Sequence, residues 1–266
     1  MKILVAVKQV ASLDEDFEIR DDGKDVDADF LVRDLNEWDD YSLEEAMKIK
    51  EAGATGVEVV AVCVGPADAD EALRKCLAKG ADRAIRVWDE AVAGSDAIAI
   101  ARLIAAVARR EQPQLLFAGV QSSDHAFAST GVAVAAFLDW PHAAVVTQLV
   151  YAPGSDSAVL RRELEAGVLH EMQIDTPAVI TIQLGINTPR YASLRSIKQA
   201  AAKPIEVLTP QQLGVAEAEL GEAGSASRVR RMYVPEKSRA QMIEGTVEEQ
   251  AARLAQLIRE RRGGAA

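Results

Sequence analysis

The chain has 266 residues, of which 49% are hydrophobic and 27% charged, a balance typical of a globular protein with a substantial core. Its formal net charge of -11 argues against sequence-independent binding of nucleic acid, which needs many Lys and Arg side chains opposite the phosphates. No apolar run approaches the roughly 20 residues that cross a bilayer, and the N-terminal apolar run is too short for a signal peptide, so we expect a cytoplasmic protein without direct membrane insertion.

Short apolar runs rich in Val, Ile and Leu alternate with helical segments over the first 140 residues. Four runs predict strands, at residues 2–8, 57–64, 84–88 and 114–119. Four segments predict helices, at residues 42–53, 68–80, 95–111 and 127–138. Because near-continuous apolar strands between helices indicate a parallel sheet that is covered on both faces, the sequence predicts a doubly wound α/β domain.

The predicted helix boundaries depend on local capping signals. Ser42 followed by Glu45 resembles a capping box, and Ser95 is the predicted cap of the 95–111 helix. Gly53 and Gly80 are the predicted ends of their helices, because glycine adopts the left-handed conformation that terminates a helix.

The pattern changes after Pro141. Four runs separated by turns predict antiparallel strands, at residues 142–151, 157–164, 167–174 and 177–184. From about residue 196 the chain becomes irregular until a final predicted helix at 246–262, and this tail has too little local core to fold alone. We therefore predict an α/β domain over residues 1–195, including the antiparallel additions, and an extended C-terminal arm over residues 196–266.

Residues 119–131, here called the polar island, lie between an apolar strand and an Ala/Val-rich helix. Their polar side chains belong to Gln121, Ser122, Ser123, Asp124, Ser129 and Thr130. Ligands of parallel sheets bind outside the carboxyl ends of the strands, and the N-terminus of a helix attracts phosphate. Helix capping is the alternative, but one cap needs only one such residue. The polar island therefore favours a phosphate ligand, although the chain has neither a Walker loop nor a G-x-G-x-x-G pattern.

Two further stretches leave alternatives open. In residues 35–40, Asn36 precedes a helix, where it is either a cap or part of an Asx-turn. Trp38 has acidic neighbours in the sequence, and its large apolar side chain is covered by a cofactor, by a partner or by its own domain. In residues 187–200, Arg190 and Tyr191 precede Leu194, which is either folded into its own domain or an anchor for another protein.

No catalytic or metal-binding pattern is recognisable. The two cysteines, Cys63 and Cys76, are too few for a disulfide framework and lie among apolar neighbours, which predicts buried free thiols. The three histidines lack the spacing of metal ligands, and His125 in the polar island is expected to be a solvated loop residue. The sequence therefore favours a carrier or binding module over a hydrolytic enzyme.

Several motifs together resemble the beta (small) subunit of electron-transfer flavoproteins along nearly the whole chain. These motifs are AVKQV, LNEWDDYSLEEA, AVCVGP, AKGADRAIRV, AGVQSSDHAFASTG, FLDWP and INTPRYASLRSIKQA. Four stretches are most similar to the branch in methylotrophic bacteria, which accepts electrons from trimethylamine dehydrogenase or related amine dehydrogenases: LNEWDD, KCLAKGADRA, FAGVQSSD and SRVRRMYVPEK.

The resemblance implies an electron carrier rather than an enzyme. Its fold would be Rossmann-like and would bind an adenine nucleotide, and the chain would form a heterodimer with an alpha subunit. One FAD would be held mainly by the alpha subunit, and one structural AMP would lie in this chain. Electrons would pass from the donor dehydrogenase towards a quinone oxidoreductase of the respiratory chain.

Position by position, the resemblance implies an AMP pocket at the strand ends. Its residues would be Ala6, Asn36, Glu37, Trp38, Asp39, Val64, Gly119, Gln121, Ser122, Ser123, Asp124, Phe127, Ser129 and Thr130. Family members often have Asn-Gln-Thr where this chain has Ala128, Ser129 and Thr130, so the contacts with phosphate must differ here, and Ser129 and Thr130 are the expected donors.

The resemblance also implies contacts with partner proteins. The family's recognition loop, which docks the donor dehydrogenase, would contain Pro189, Arg190, Tyr191, Leu194 and Ile197, with Leu194 as the anchor. Leu13 and Trp38 would lie near the flavin ring. Glu163 would pair with an arginine of the alpha subunit, and the C-terminal arm and helix would wrap that subunit.

Two other functions are compatible with an α/β nucleotide-binding core. A bifurcating flavoprotein subunit would hold a second FAD in place of AMP. A signalling module of the universal-stress type would bind ATP, but it would need a Gly-rich phosphate loop before its last helix, and this chain has none.

Overall fold

A computed structural model describes residues 1–13, 17–52, 56–235, 240 and 242–263 of the chain. The strands of these residues are β1 (Lys2–Val7), β2 (Gln9–Leu13), β3 (Leu31–Leu35), β4 (Glu58–Val64), β5 (Arg83–Val87), β6 (Leu115–Gly119), β7 (His142–Val150), β8 (Ser157–Glu163), β9 (Leu169–Asp175), β10 (Ala178–Ile182) and β11 (Glu206–Leu208). The α-helices are α1 (Glu37–Ala52), α2 (Asp70–Lys79), α3 (Ala97–Glu111), α4 (Thr130–Leu138), α5 (Leu194–Ala202), α6 (Gly221–Gly224) and α7 (Val247–Gly263).

One nine-stranded sheet organises the fold, with the strand order β11-β5-β4-β1-β6-β10-β7-β8-β9. The pairs from β11 across to β7 are parallel, and the pairs β7–β8 and β8–β9 are antiparallel. This topology confirms the predicted doubly wound, mostly parallel sheet with antiparallel additions. A separate antiparallel ribbon of β2 and β3 follows β1, in a stretch for which the sequence predicted no strands.

The pairing of β10 differs from the prediction. The sequence placed residues 177–184 in an antiparallel series, whereas β10 is parallel to both of its neighbours, β6 and β7. All residues of β10 are buried, and a continuous apolar run of this kind is typical of an inner strand of a parallel sheet. The turn before β10 looks like a hairpin in the sequence, but the strand inserts between β6 and β7 because that position buries both of its faces.

Helices cover the two faces of the sheet. On one face, Leu43 of α1 and Leu73 of α2 belong to a buried cluster with Phe117 of β6. On the other face, Leu103 of α3 and Val134 of α4 belong to a second cluster with small and branched side chains of the same strands. Burial of such side chains stabilises the fold by roughly 1.5–3 kcal/mol each, before the cost in conformational entropy.

Both cysteines are buried and free, as predicted. Burial raises the pKa of Cys63 to about 12 and raises the pKa of Cys76 as well. The thiolate is the reactive form of cysteine, and a raised pKa leaves little of it at neutral pH. Both side chains therefore act here as small core residues.

Two predicted helix starts are wrong. Helix α1 begins at Glu37, and Ser42 lies buried within it, where its hydroxyl donates to the Trp38 carbonyl at 3.0 Å. Helix α3 begins after Asp96, whose carboxylate caps it by accepting the first N–H groups. Ser95 instead accepts the Gly221 N–H at 2.8 Å. Serine also bonds to the backbone inside helices, so its pattern alone does not locate a helix start.

Of the two predicted helix ends, one is confirmed. Gly80 ends α2 in the left-handed conformation, with a φ of 119°, as predicted. Helix α1 is described up to Ala52, and the predicted end at Gly53 lies outside the described residues.

The chain divides into two units, Met1–Arg230 and Arg231–Ala266. The first unit extends past the predicted domain boundary at residue 195, because α5 packs on α2 and β11 pairs with β5. The second unit contains α7, at the position of the predicted final helix. Across the described ranges, no helix combines the length and the apolar character that spanning a membrane requires.

An ionic cluster joins the amino-terminal edge of the sheet to the end of α3. The carboxylate of Glu111, which is 5% exposed, accepts hydrogen bonds from Lys2 Nζ at 2.7 Å and Arg83 Nη1 at 2.9 Å. Arg83 also pairs with Glu58 of β4 at 3.3 Å and with Glu206 of β11 at 3.0 Å. Burial alone would raise the pKa of Glu111, but the bonds from Arg83 and Lys2 outweigh it and lower the pKa to about 2.

We predict that Glu111→Gln lowers the free energy of unfolding at pH 7 by about 2–3 kcal/mol, because a depressed carboxyl pKa stabilises the native state. The folded pKa of about 2 lies below the ordinary glutamate pKa of 4.5, so this contribution is complete above pH 4.5 and disappears as the pH falls towards 2. Urea unfolding at several pH values measures it. Glu58→Gln, at the exposed end of the cluster, is the control with a smaller effect. Equal acid sensitivity of the wild type and Glu111→Gln would contradict the assignment.

Candidate functional site

The first turn of α1 meets the carboxyl ends of β1 and β6 through one side chain, Asp39. Its Oδ2 accepts the backbone N–H of Lys8 at 2.7 Å, and its Oδ1 accepts that of Gly119 at 2.9 Å. Asp39 is buried, and burial raises its pKa to about 7 against the opposing effect of these two N–H bonds. A single carboxyl group therefore joins two strand ends to a helix start.

Gly119 permits this close approach because it has no side chain. A Cβ atom at residue 119 would lie 2.5 Å from Trp38 Cβ and 2.6 Å from Asp39 Oδ1, distances that real Cβ atoms do not tolerate. Trp38, which the sequence left among acids without an assigned environment, packs here against its own domain. Its indole N–H donates to the side-chain oxygen of Gln183, just after β10, at 3.0 Å.

Asn36 connects the start of α1 to the polar island. It is 1% exposed, and its Nδ2 donates to the Gln121 carbonyl at 2.9 Å while its Oδ1 accepts the Ser123 N–H at 3.2 Å. The side chain therefore bridges to another loop, whereas the sequence suggested a cap or an Asx-turn. The backbone of Asn36 also donates to the Lys8 carbonyl at 2.9 Å, which adds a second tie to the end of β1.

Lys8 is a site residue that the sequence did not single out. Its Nζ donates to Asp124 Oδ1 at 2.7 Å and to Ser122 Oγ at 3.3 Å, so it holds the polar island through side chains. The available signal was its position: a lysine directly after the first strand lies at the same sheet edge as the polar island. Together, Lys8 and Asn36 bond to one polar group on each of the residues from 121 to 124.

The remaining hydroxyls of the polar island lie at the start of α4. Ser129 is the N-cap residue of α4, yet its side chain makes no capping hydrogen bond within the described chain, and the first turn carries no acid. The preceding Ala126 and Ala128 adopt the left-handed conformation, with φ of 52° and 51°, which is uncommon outside glycine. The first N–H groups of a helix have no intrahelical acceptor, and such groups suit the binding of an anion.

Helix α4 starts close to the sheet because of Gly131. A Cβ atom there would lie 2.5 Å from Thr181 Cγ2 of β10. Thr181 is buried, and its hydroxyl accepts the N–H of Val145 at 3.2 Å. The N-terminal turn of α4 is therefore held against β10, next to the end of β6.

The other predicted AMP-pocket residues lie as follows. Ala6 is buried near the end of β1, and Val64 is half-buried at the end of β4, the neighbouring strand. Glu37 is exposed at the start of α1, and Phe127 is 58% exposed in the polar island. The sheet thus brings the predicted set to one edge, where β4, β1 and β6 end side by side.

A cavity of about 330 Å³ opens near the start of α1. Its lining residues are Asp34, Leu35, Glu37, Asp40, Lys75 and Lys79. Lys75 pairs with Asp34 and Lys79 with Asp40, each at 2.6 Å, so the positive charges in this cavity are already balanced. The start of α4, which is not part of this lining, is therefore the better candidate for a phosphate.

The predicted partner contacts lie elsewhere on the first unit. Tyr191 is 99% exposed and Leu194 81% exposed, and Ile197 and Pro189 flank them. Leu194 is the first residue of α5, a helix that the sequence did not predict there. Of the two alternatives for Leu194, the exposed side chain is inconsistent with folding into its own domain and leaves the role of an anchor.

Leu194 also borders an open hollow of about 580 Å³ on the surface of α5. The other lining residues are Arg195, Lys198, Gln199 and Ala202. Glu163 is exposed at the end of β8, and Leu13 ends β2.

Comparison with known proteins relates the chain to one family. Residues 30–213 match the model described as electron transfer flavoprotein domain. The chain is 65% identical over 263 residues to electron transfer flavoprotein subunit beta of Methylophilus methylotrophus, covering 99% of this chain and 100% of that relative. It is 40% identical over 215 residues to the mitochondrial beta subunit of Arabidopsis thaliana and 36% identical over 220 residues to the beta subunit of Homo sapiens. Both alignments cover 81% of this chain and 84% of the relative.

We predict that Gly119→Ala destabilises the chain by about 2 kcal/mol, because the added methyl group overlaps Trp38 and Asp39 and pushes α1 away from the strand ends. The midpoint of urea unfolding measures the change. Ser123→Ala, an exposed neighbour in the same loop, is the control and should unfold like the wild type. A Gly119→Ala midpoint equal to that of the wild type would show that the contact is loose.

Proposed function

We propose a function from one premise: the chain belongs to the electron transfer flavoprotein family, as a beta subunit. It binds one AMP at the edge where β4, β1 and β6 end. It forms a heterodimer with an alpha subunit that holds most of the FAD site, and it docks the dehydrogenase that delivers the electrons. It works as a cytoplasmic electron carrier subunit and not as an enzyme.

The start of α4 carries the proposal of an AMP site. Ser129 stands at the N-cap without using its hydroxyl for capping, and the N–H groups in the first turn of a helix have no intrahelical acceptor. The positive end of the helix dipole favours a phosphate at this place. Ala128 has no polar side chain, so the phosphate would be held by Ser129, Thr130 and backbone N–H groups.

Three residues next to the site would determine its shape rather than contact the nucleotide. Asn36 and Asp39 use their side-chain oxygens on backbone N–H groups, and Lys8 is paired with Asp124. They would therefore form a rigid wall, against which the adenosine lies near Ala6 and Val64. Binding to the native state alone would stabilise the fold by mass action.

The redox chemistry would come from FAD bound in the alpha subunit. This chain would contribute contacts around it: Leu13 and Trp38 near the flavin ring, and Glu163 towards an arginine of the partner. The bond from Trp38 to Gln183 fixes the plane of the indole, as a packing role requires. Glu163 has no ion-pair partner within the described ranges of its own chain, so its carboxylate is available for that arginine.

The exposed residues at the start of α5 support the docking of a donor. Tyr191, Leu194 and Ile197 present apolar side chains that are costly to leave in water and are typical of protein contacts. The proposed donor is trimethylamine dehydrogenase or a related amine dehydrogenase, in line with the methylotroph-type motifs. The proposed acceptor is a quinone oxidoreductase that passes electrons to the respiratory chain, and the unit from Arg231 onwards would wrap the alpha subunit.

We predict that the purified heterodimer, when denatured, releases about one AMP per FAD. Ser129→Ala should retain AMP about tenfold more weakly, because one hydrogen bond to a charged phosphate is lost. Chromatography of the released nucleotides measures both, and Ser155→Ala, in the turn between β7 and β8, is the matched control. A second FAD without AMP would indicate a bifurcating subunit, and ATP would indicate a signalling module; either result would refute the AMP proposal.

We predict that Leu194→Ala raises the donor concentration for half-maximal flavin reduction about tenfold, the cost of removing a central apolar anchor. The absorption spectrum of the FAD should not change, because the flavin lies in the partner subunit. Val207→Ala, an exposed apolar residue of β11, is the control. An unchanged half-maximal concentration would remove the anchor role.

A further inference from the structure

Arg190 is the one residue of the predicted recognition loop whose charged group turns towards its own domain. Its Nε donates to Glu44 Oε2 at 2.7 Å and its Nη2 to Glu44 Oε1 at 2.9 Å, a bidentate pair with a side chain of α1. Its Nη2 also donates to Glu51 Oε2 at 3.0 Å, about two helical turns further along α1. The backbone N–H of Arg190 adds a bond to Glu44 at 3.1 Å.

The same face of α1 holds the residues just before Arg190. The side-chain amide of Asn187 donates to the Tyr41 carbonyl at 3.0 Å and to Glu45 Oε2 at 2.9 Å. Segment 187–190 is therefore fixed on α1 immediately before the exposed residues begin.

The far end of α5 is fixed by another helix. Arg74 of α2 donates to the carbonyl of Ala200 in the last turn of α5 at 2.8 Å and to the carbonyl of Lys203, the residue that follows the helix. Lys203 Nζ donates to the Ala81 carbonyl at 2.9 Å. The exposed apolar side chains thus lie between two fixed ends.

The ion pair of Arg190 with Glu44 is well suited to fix the recognition loop on α1. The Glu44 side chain is 9% exposed and that of Arg190 29%, so water screens their attraction only in part. A guanidinium and a carboxylate that share two parallel bonds also define an orientation, which a single charge contact does not. The Glu51 carboxylate is 56% exposed and adds less.

We infer that Arg190 is a positioning residue for donor docking. By binding Glu44 and Glu51 it fixes the surface formed by Tyr191, Leu194 and Ile197 in the orientation that the donor meets. This inference rests on the proposed docking function and deepens it, because it assigns to α1 the task of pre-ordering the surface. Docking then requires little further ordering of the segment, which favours affinity.

The test measures docking and segment order in the intact heterodimer. The donor is trimethylamine dehydrogenase reduced with trimethylamine, and flavin reduction is followed against its concentration. If Arg190→Ala leaves the segment in its docking arrangement about one-tenth of the time, the half-maximal donor concentration rises about tenfold while the limiting rate is unchanged. Amide hydrogen exchange of residues 187–197 should become faster in the same variant.

The design includes variants away from the docking surface. Glu44→Gln should raise the half-maximal concentration although Glu44 is buried, and combining it with Arg190→Ala should add little to Arg190→Ala alone. Arg190→Lys should raise the half-maximal concentration less than Arg190→Ala does, because lysine keeps the charge but not the paired bonds. Glu71→Gln, an equal charge change on α2, should behave like the wild type. If Arg190→Ala does not fold, Arg190→Lys and Glu51→Gln are expected to show smaller changes in the same direction.

The outcomes separate this inference from the docking proposal. If Leu194→Ala raises the half-maximal concentration but Arg190→Ala and Glu44→Gln do not, Arg190 has no positioning role and docking at α5 stands. If Arg190→Ala acts but Glu44→Gln does not, Arg190 touches the donor directly and the inference is overturned. If Leu194→Ala has no effect, the docking function fails, and the positioning role fails with it.

Discussion

One buried carboxyl group connects helix α1 to the sheet. Asp39 accepts the backbone N–H groups of Lys8 and Gly119 and so holds the start of α1 on the ends of β1 and β6. The contact is tight enough that residue 119 has no room for a side chain. Burial raises the pKa of Asp39 to about 7, and carboxyl groups perturbed in this way are frequent at functional sites. If this connection were absent, the start of α1 would lose its two side-chain bonds to the strand ends.

Helix α1 then serves two distinct parts of the molecule. Near its start, Asn36 bridges to the polar island and so orders the loop that leads to Ser129. Further along, Glu44 and Glu51 hold Arg190 and the chain that leads to Leu194. In the proposed function, the subunit would need no reacting group of its own. It would contribute backbone and hydroxyl donors for a phosphate at one place and an apolar docking surface at another.

Much of the fold was predictable because its signals are local. The continuous apolar runs of β1, β4, β5 and β6, with helices between them, indicated the parallel sheet, and the polar island follows β6 as predicted. The parallel pairing of β10 was not predictable in this way, since strand pairing is decided by which neighbours bury its two faces. The contacts of Lys8, Asn36 and Arg190 were not predictable from the sequence either, because each depends on a partner distant in sequence. The start of α5 was hidden by Pro189 and by the exposure of Leu194, which interrupt the apolar pattern of a packed helix.

The most direct test is a crystal structure of the heterodimer purified without added nucleotide. The account predicts AMP at the edge where β4, β1 and β6 end, with its phosphate within hydrogen-bond distance of the Ser129 hydroxyl and the first N–H groups of α4. Asp39 should keep both of its bonds to the backbone beside it. A triphosphate or a flavin at that edge, or electron density for solvent alone, would contradict the account.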